Sequence, residues 1–273
     1  MESLIIIKIG GNIIDDEKSL LSFLKKFSAI DGRKILVHGG GKLATELAGK
    51  LGIEQTLIDG RRITDAETLK IVTMVYAGYI NKNIVAKLQA NDCNAIGLCG
   101  ADGDAILAHK RKAPPVEGGL ERVDYGFAGD IDAINTDLIS GLLDKNMTLV
   151  FAPITHNRQG QLLNTNADTI AQELARGLSK QYEVTLIYSF EKAGVLLDVN
   201  DENSIIKKLD WEYYQQLKPS SSGAGGKIFA GMIPKLDNAF TALNSGVKKV
   251  IIGKAENLEE LINGSSGTTI KNE

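Results

Sequence analysis

Glycine clusters lie at three junctions between predicted secondary-structure elements. Residues 10–11 and 39–41 each follow a short apolar run, and residues 223–231 precede a segment that contains Lys235. Unpaired backbone N–H groups and the helix dipole both favour an anion at a helix N-terminus. Glycine also serves in ordinary tight turns, but three such clusters in one chain favour a phosphate site.

Two lysines accompany these clusters in positions that are costly without an anion nearby. Lys8 interrupts the apolar run 4–9, where a buried ammonium group loses hydration unless it is paired or reaches solvent at the strand end. Pro234 suits a first helical position, which puts Lys235 in the first turn of a helix. A cation is disfavoured there by the helix dipole, so Lys235 indicates a neighbouring negative charge.

Two further segments carry polar side chains that suit a small anionic ligand. Asn164–Asp168 opens a predicted helix, and N-capping accounts for only one of its polar residues. Arg62 lies in a turn-like segment, where its guanidinium group is either exposed to solvent or able to bind a carboxylate through two N–H groups. The P-loop spacing is absent, and no G-x-G-x-x-G joins a strand to a helix, so both common nucleotide fingerprints are disfavoured.

The composition excludes several classes of protein. With 273 residues, 43% hydrophobic and 24% charged, the chain is expected to be globular, with one large domain or two lobes. The formal charge of −3 and the lack of a basic run argue against a nucleic-acid partner. Lys8 breaks the first apolar run, so we expect a cytoplasmic protein without a membrane partner. Two cysteines and three histidines lack the spacing of a metal site.

Short apolar runs alternate with amphipathic stretches, a pattern that predicts an α/β fold. We expect residues 107–132 to form a hairpin or loop excursion, 219–226 a mobile loop, and a lobe boundary near residue 180. The predicted strands are 4–9, 34–38, 94–99, 147–152, 183–190 and 248–252. The predicted helices are 17–29, 42–51, 66–90, 167–178, 211–217 and 233–245.

Taken together, these motifs resemble those of the acetylglutamate kinases, a branch of the amino acid kinase family. The resemblance extends from Lys8 to Ile270. The motifs that carry it are, in chain order, Lys8–Gly11, Val37–Gly41, Gly60–Thr64, Asn164–Asp168 and Gly231–Lys235.

The resemblance implies a three-layer αβα sandwich with a mainly parallel central sheet. The N-terminal lobe (1–180) would bind the acyl-glutamate and dimerise, and the C-terminal lobe (181–273) would bind ATP. The implied reaction is ATP-dependent phosphorylation of the γ-carboxylate of N-acetyl-L-glutamate, a step of arginine biosynthesis, with Mg²⁺ arriving on the nucleotide. The implied assembly is a homodimer that arginine does not inhibit.

The resemblance also implies roles for individual residues. Lys8 and Lys235 would neutralise the transferring phosphoryl group, and Asp168 would position both lysines. Arg62 and Asn164 would bind the α-carboxylate and amide of the substrate. The other substrate-binding residues would be Gly40, Gly41 and Asn166, and the ATP-binding residues would be Gly10, Gly11, Glu191, Gly194 and Gly231.

One segment departs from the family pattern, and two alternatives to the implied function stay open. Residues 188–195 carry Glu191 where the family has aspartate, which leaves open how ribose and adenine are held. The first alternative is a family kinase for a related carboxylate, including glutamate with another N-acyl cap such as N-succinyl. The second is a catalytically silent ligand-binding relative, against which both lysines and Asp168 argue.

Overall fold

The computed structural model describes residues 1–58, 61–112, 123–198, 200–218 and 232–272. Its strands are β1 (Glu2–Ile9), β2 (Arg33–His38), β3 (Leu57–Ile58), β4 (Arg61–Arg62), β5 (Ala95–Leu98), β6 (Ile106–Lys110), β7 (Gly129–Ile134), β8 (Thr148–Phe151), β9 (Ile154–His156), β10 (Leu162–Asn164), β11 (Tyr182–Phe190), β12 (Lys208–Leu209), β13 (Lys249–Lys254) and β14 (Thr268–Ile270). Its α-helices are α1 (Gly11–Ile14), α2 (Glu17–Ser28), α3 (Gly41–Lys50), α4 (Ala66–Thr73), α5 (Asn81–Gln89), α6 (Thr136–Leu143), α7 (Ala167–Leu178), α8 (Trp211–Leu217), α9 (Ile233–Asn244) and α10 (Leu258–Ile262).

The central sheet is mainly parallel, as predicted. Among the described residues its eight strands run in the order β12-β14-β13-β11-β1-β2-β8-β5. Every neighbouring pair is parallel except β13 and β14. Because Ile9 of β1 pairs with His38 of β2, the glycines that follow these two strands meet at one edge of the sheet.

Helices cover both faces of this sheet. Successive residues of a strand point to opposite faces, and β1 shows this directly. Leu4 and Ile6 pack in one core with α6–α9, whereas Ile7 and Ile9 pack in a second core with α1–α5 and α10. The alternation places Lys8 on the same face as Leu4, toward α7 and α9. The three-layer αβα sandwich is therefore confirmed.

A smaller sheet in the order β10-β9-β6-β7 lies beside the main one within the described chain. Its strands β6 and β7 pair antiparallel, so the predicted excursion 107–132 contains a hairpin, although residues 113–122 lie outside the described part. The predicted mobile loop 219–226 also lies outside it. The lobe boundary near residue 180 stays a prediction, and the central sheet passes this point through the pairing of β1 with β11.

The predicted helix over 66–90 is present but is not one regular helix. It begins with α4, where the Asp65 side chain accepts a hydrogen bond from the backbone N–H of Thr68 at 2.7 Å. A π-helical segment, Met74–Ile80, then separates α4 from α5. Its wider turn buries Tyr76 and Ile80. Such π-helical segments frequently occur at functional sites.

Candidate active site

Lys8, Asp168 and Lys235 converge from three separate elements. Lys8 is near the carboxyl end of β1, Asp168 is in the first turn of α7, and Lys235 is in the first turn of α9. Lys235 Nζ donates a hydrogen bond to Asp168 Oδ2 at 2.5 Å. Lys8 Nζ lies 2.9 Å from Asp168 Oδ1 as an ion pair without hydrogen-bond alignment. The structure therefore brings together the three residues predicted to be catalytic.

Local capping fixes where Asp168 points. The side-chain oxygen of Asn166 accepts hydrogen bonds from the backbone N–H groups of Asp168 (2.8 Å) and Thr169 (3.2 Å), so Asn166 is the N-cap of α7. The Tyr188 hydroxyl donates to the backbone carbonyl of Asp168 at 3.3 Å. Helix α7 thus begins at a fixed place, and its first carboxylate faces both lysines.

The three charges leave a surplus of positive charge. Burial alone would raise the pKa of Asp168, but Lys8 and Lys235 outweigh it and lower that pKa to about 2. Burial, reinforced by repulsion from Lys8, lowers the pKa of Lys235 despite the attraction of Asp168. One carboxylate between two ammonium groups leaves a net charge of about +1, which suits a phosphoryl anion.

A cavity of about 200 Å³ lies next to this cluster. It is open to solvent and lined by the antiparallel pair β3–β4, by the smaller sheet, by the π-helical segment and by the segments that follow β2 and β8. The lining residues are Gly39, Gly40, Gly41, Leu57, Arg62, Tyr76, Arg111, Ala128, Gly129, Pro153, Asn164, Thr165, Asn166 and Ala167. The predicted substrate-binding residues Gly40, Gly41, Arg62, Asn164 and Asn166 all lie in this wall.

Arg62 is fixed against the glycine turn. Its Nη2 donates hydrogen bonds to the carbonyl of Gly41 (2.9 Å) and to the hydroxyl of Thr45 (2.8 Å), and its Nη1 donates to Gln55. All three acceptors are uncharged oxygens. None of them therefore neutralises the positive charge of the guanidinium group. Arg62 is therefore held in a geometry that can receive an anionic ligand.

Asn164 is the last residue of β10 and lines the cavity from the smaller sheet. Its Nδ2 donates to the Thr64 hydroxyl at 3.0 Å. Thr64 is fully buried, and its carbonyl accepts a hydrogen bond from the backbone N–H of Phe127 at 2.6 Å. With Nδ2 oriented in this way, the Asn164 side-chain oxygen is available to accept an N–H bond from a ligand.

The glycine turn after β2 approaches its neighbours too closely for a side chain. Gly40 has φ +146°, and a Cβ there would lie 2.2 Å from Cδ1 of Ile80 and 3.2 Å from Tyr76. Gly41 begins α3, which has no side-chain cap. In the other glycine turn, a Cβ on Gly10 would lie 4.0 Å from Lys8 Nζ. Both turns thus present backbone rather than side chains to the site.

The side chains of Arg111 and Tyr76 are among the cavity residues that the sequence did not predict. Arg111 follows β6, donates to both oxygens of Asp130 (2.9 and 3.2 Å through Nε), and lies over the ring of Tyr125. Burial raises the pKa of the Tyr76 hydroxyl despite the nearby charge of Arg62. No motif marks either residue: Tyr76 follows the apolar pattern of a helix, and Arg111 stands between two lysines at a strand end, where solvent exposure is the ordinary expectation.

The residues predicted to bind the nucleotide are less completely described. Gly11 begins α1, Glu191 is exposed just after β11, and Gly231 lies outside the described residues. Gly194 packs against β14, because a Cβ there would lie 2.7 Å from the Thr268 hydroxyl. Ser189, near the carboxyl end of β11, has a buried hydroxyl without a hydrogen-bond partner in the described chain.

Neither a metal-ligand cluster nor a membrane-spanning helix is present among the described residues. No group of three or more His, Cys, Asp or Glu side chains there is arranged to hold a metal ion. In the same residues, no helix has the length and apolar character to cross a membrane.

Fold and site together define a phosphotransferase, with a surplus of positive charge at the carboxyl ends of parallel strands and an anion-binding cavity beside it. Residues 3–254 match the model of the amino acid kinase family, and the chain belongs to that family. It is 55% identical to the acetylglutamate kinase of Cytophaga hutchinsonii over 263 residues, which cover 96% of each chain.

Solved structures show the same fold at low identity. The N-acetylglutamate synthase of Neisseria gonorrhoeae, in complex with coenzyme A and L-arginine, superposes with a TM-score of 0.76 at 20% identity. That match covers 99% of this chain, which spans 62% of the synthase chain. The carbamate kinase of Giardia lamblia bound to AMP-PNP gives a TM-score of 0.69 at 15% identity and covers 100% of this chain and 99% of that one.

Proposed function

We propose that this protein is an acetylglutamate kinase, which transfers the γ-phosphoryl group of ATP to the γ-carboxylate of N-acetyl-L-glutamate. The observation that carries the proposal is the continuity between the cavity and the charged cluster: Asn166 and Ala167 line the cavity, and the next residue is Asp168. A ligand whose one end is bound by Arg62 in the cavity wall would extend its opposite end toward Lys8 and Lys235. The name of the Cytophaga relative supports this choice of substrate.

The chemistry requires little covalent help from the protein. A glutamate γ-carboxylate is ionised at neutral pH and attacks the γ-phosphorus without a general base. The new oxygen–phosphorus bond forms as the bond to the β,γ-bridging oxygen breaks, which yields an acyl phosphate and ADP. Lys8 and Lys235 would stabilise the charge on the transferring oxygens, and Asp168 would keep both ammonium groups in place.

The substrate would be oriented by residues from both walls of the cavity. Arg62 would pair with the α-carboxylate, and the side-chain oxygen of Asn164 would accept the amide N–H. Gly40 and Gly41 would offer backbone N–H groups at the open start of α3. Asn166 would act chiefly as the cap that fixes Asp168, because its oxygen already accepts two backbone hydrogen bonds.

Nucleotide binding would involve Gly10, Gly11, Glu191, Gly194 and Gly231. The buried, unpartnered hydroxyl of Ser189 fits a site that gains a polar ligand, because buried polar atoms are rarely left unsatisfied. Mg²⁺ would be carried by the phosphates, since Asp168 is already engaged by two ammonium groups. We further propose a homodimer in the cytoplasm, with acyl-glutamate bound by residues 1–180 and ATP by residues 181–273.

A glutamate with a longer, charged N-acyl cap, such as N-succinyl, is the second candidate substrate. Arg111 supports it, because this guanidinium lies in the cavity wall in addition to Arg62. Its pairing with Asp130 uses Nε and Nη2, and among the described residues Nη1 has no hydrogen-bond acceptor and can donate to a ligand.

The test of the proposed function is ATP turnover with and without the acceptor. Purified protein with Mg²⁺ and ATP is expected to release ADP only when N-acetyl-L-glutamate is present, as followed by an enzyme-coupled assay. Equal ADP release without an acceptor, or none with any N-acylglutamate, would contradict the proposal.

A further inference from the structure

A buried polar network lies directly behind the glycine turn 39–41. His38, the last residue of β2, is fully buried. Its Nδ1 lies 2.9 Å from the carbonyl oxygen of Gly39, and its Nε2 lies 3.1 Å from Nδ2 of Asn81. The same Nδ2 donates to the carbonyl of Val150 at 2.9 Å. The network therefore ties the turn to β8 and to the start of α5.

These partners determine which ring nitrogen of His38 carries the proton. The nitrogen of a carboxamide can only donate, so Nε2 of His38 must accept from Asn81. The ring proton then sits on Nδ1 and is donated to the Gly39 carbonyl. Burial, with a smaller contribution from the charge of Lys82, lowers the pKa of His38 to about 4, so the ring is neutral at physiological pH.

Every polar atom of the Asn81 side chain is satisfied, which makes this arrangement specific. Lys82 Nζ donates to Asn81 Oδ1 at 3.2 Å and to the carbonyl of Gly97 at 2.8 Å. A Cβ on Gly97 would lie 1.9 Å from Asn81 Oδ1, so glycine leaves the room that the amide occupies. A fully satisfied buried network holds one conformation strongly, because any other leaves polar atoms unpaired.

Fixing the Gly39 carbonyl also fixes the next N–H group. In a planar trans peptide the C=O and the following N–H point in opposite directions. With the Gly39 carbonyl turned toward His38, the N–H of Gly40 points away from it. Ile80 and Tyr76 of the π-helical segment occupy the space that a side chain on Gly40 would need. The turn is thus held between β2 on one side and the π-helical segment on the other.

We propose that His38 is a positioning residue for phosphoryl transfer: through the Gly39 carbonyl it directs the backbone N–H group of Gly40 into the substrate cavity, and Asn81 fixes the tautomer in which it does so. His38 acts through the turn and does not touch the ligand. This inference rests on the proposed kinase function. It also gives the π-helical segment a role, since Asn81 immediately follows it.

Two substitutions at residue 38 separate positioning from packing. His38→Asn keeps an N–H donor near the position of Nδ1. His38→Leu fills the same space but has no donor for the Gly39 carbonyl. We expect His38→Leu to lower kcat/KM for N-acetylglutamate by about tenfold or more, a fraction of the loss from deleting a direct N–H donor. His38→Asn is expected to stay within about threefold of the parent, with the KM for ATP unchanged in both.

Leu36→Ala is the matched control for packing, because Leu36 is equally buried in β2 and belongs only to the apolar core. It is expected to lower the free energy of unfolding and to leave kcat/KM of the folded enzyme unchanged. Equal losses of kcat/KM in His38→Asn and His38→Leu, or none in His38→Leu, would overturn the positioning role.

The tautomer is measured without any activity assay, which keeps the inference testable if His38→Leu does not fold. In ¹⁵N-histidine NMR spectra, the resonances absent from His38→Asn identify His38 among the three histidines. We expect a protonated Nδ1 and an unprotonated Nε2 that do not titrate between about pH 5.5 and 8. A proton on Nε2, or a titration in that range, would overturn the inference. An inactive wild-type protein with the expected tautomer would instead contradict the kinase function.

Discussion

The ammonium group of Lys8 lies 2.9 Å from Oδ1 of Asp168, and this ion pair joins the central strand of the sheet to the first turn of helix α7. Both side chains are largely buried, with 12% and 17% of their surface exposed. A buried lysine in an apolar strand is costly unless an opposite charge meets it. Here the same carboxylate also holds Lys235, so one residue orients both cations.

Replacing either lysine by methionine should mainly slow the chemical step. Lys8→Met and Lys235→Met keep most of the side-chain volume but remove the charge that stabilises the transferring oxygens. We expect kcat to fall by about 10²–10³ with a much smaller rise in KM, because the charge matters most in the transition state. Steady-state kinetics with varied N-acetylglutamate and ATP would measure both constants.

Lys248→Met is the matched control for these two variants. Lys248 pairs with Glu183 on the surface, where both side chains are about half exposed, and such pairs contribute little. Its kcat should equal that of the parent. If Lys8→Met kept a similar kcat, the assignment of Lys8 to phosphoryl transfer would be wrong.

Gly40→Ala should damage the cavity, whereas Gly49→Ala should not. A Cβ on Gly40 would lie 2.2 Å from Ile80 in a backbone conformation with φ +146°, so Ile80 and the turn would have to move. Gly49 lies within α3 with open space around it, and alanine there should raise the free energy of unfolding by up to about 1 kcal/mol. Urea unfolding and the KM for N-acetylglutamate test both; unchanged values in Gly40→Ala would contradict the close contact.

Acid should destabilise the fold through His38 before most carboxylates titrate. Burial lowers the pKa of His38 from 6.5 to about 4. Between these values the unfolded chain binds a proton that the folded chain does not, so stability is complete above pH 6.5 and declines as the pH falls. By pH 4 the free energy of unfolding is expected to be lower by on the order of 3 kcal/mol than at pH 7.

His38→Asn isolates that contribution because it removes only this titration. The free energy of unfolding of the parent minus that of His38→Asn should decrease between pH 7 and pH 4.5. A difference that stays constant over this range would show that His38 is not buried in its neutral form.

Arg62→Ala should chiefly weaken binding of the acyl amino acid. A charge-assisted hydrogen bond contributes about 1.5–3 kcal/mol, so we expect KM for N-acetylglutamate to rise by about 10- to 100-fold with a smaller change in kcat. Arg158→Ala is the matched control and should behave like the parent, because it removes a surface pair in which Arg158 is 59% exposed and Asp104 35%. An unchanged KM in Arg62→Ala would exclude contact with the α-carboxylate.

Arg111→Ala tests how the cavity distinguishes N-acyl caps. If Arg111 contacts a charged cap, the variant should lose activity toward N-succinylglutamate by about tenfold more than toward N-acetylglutamate. Equal losses of activity toward both compounds would show that Arg111 does not contact the N-acyl cap and serves only to hold Asp130 and Tyr125.

The sequence predicted those features that depend on local pattern. Apolar runs identified the strands that carry Lys8 and His38, and the polar segment at 164–168 marked the start of α7 with its N-cap. Pro234 placed Lys235 in the first turn of α9. The hydrogen bond and ion pair of Asp168 with the two lysines followed from the family resemblance, since the residues lie far apart in the chain.

Features that depend on packing between distant segments could not be predicted in this way. The π-helical segment gives no signal in an apolar helical pattern, and the contact of Ile80 with Gly40 arises only when α3 packs beside it. Arg111 enters the cavity because β6 and β7 pair into a second sheet. Asn81, the partner of His38 Nε2, likewise comes from α5 and is itself bonded to β8, and no spacing in the sequence relates either element to β2.

The most direct test of the central claim is to trap the acyl phosphate. Hydroxylamine converts it to a hydroxamate, which is measured for N-acetylglutamate, N-succinylglutamate, N-acetylaspartate and free glutamate at equal concentration with Mg²⁺ and ATP. We predict hydroxamate from the N-acylglutamates and little from free glutamate, whose ammonium group would add a positive charge to a site that already holds Arg62 and two lysines. Comparable turnover of free glutamate would contradict the account, and a preference for the succinyl compound would retain the mechanism but change the acyl group.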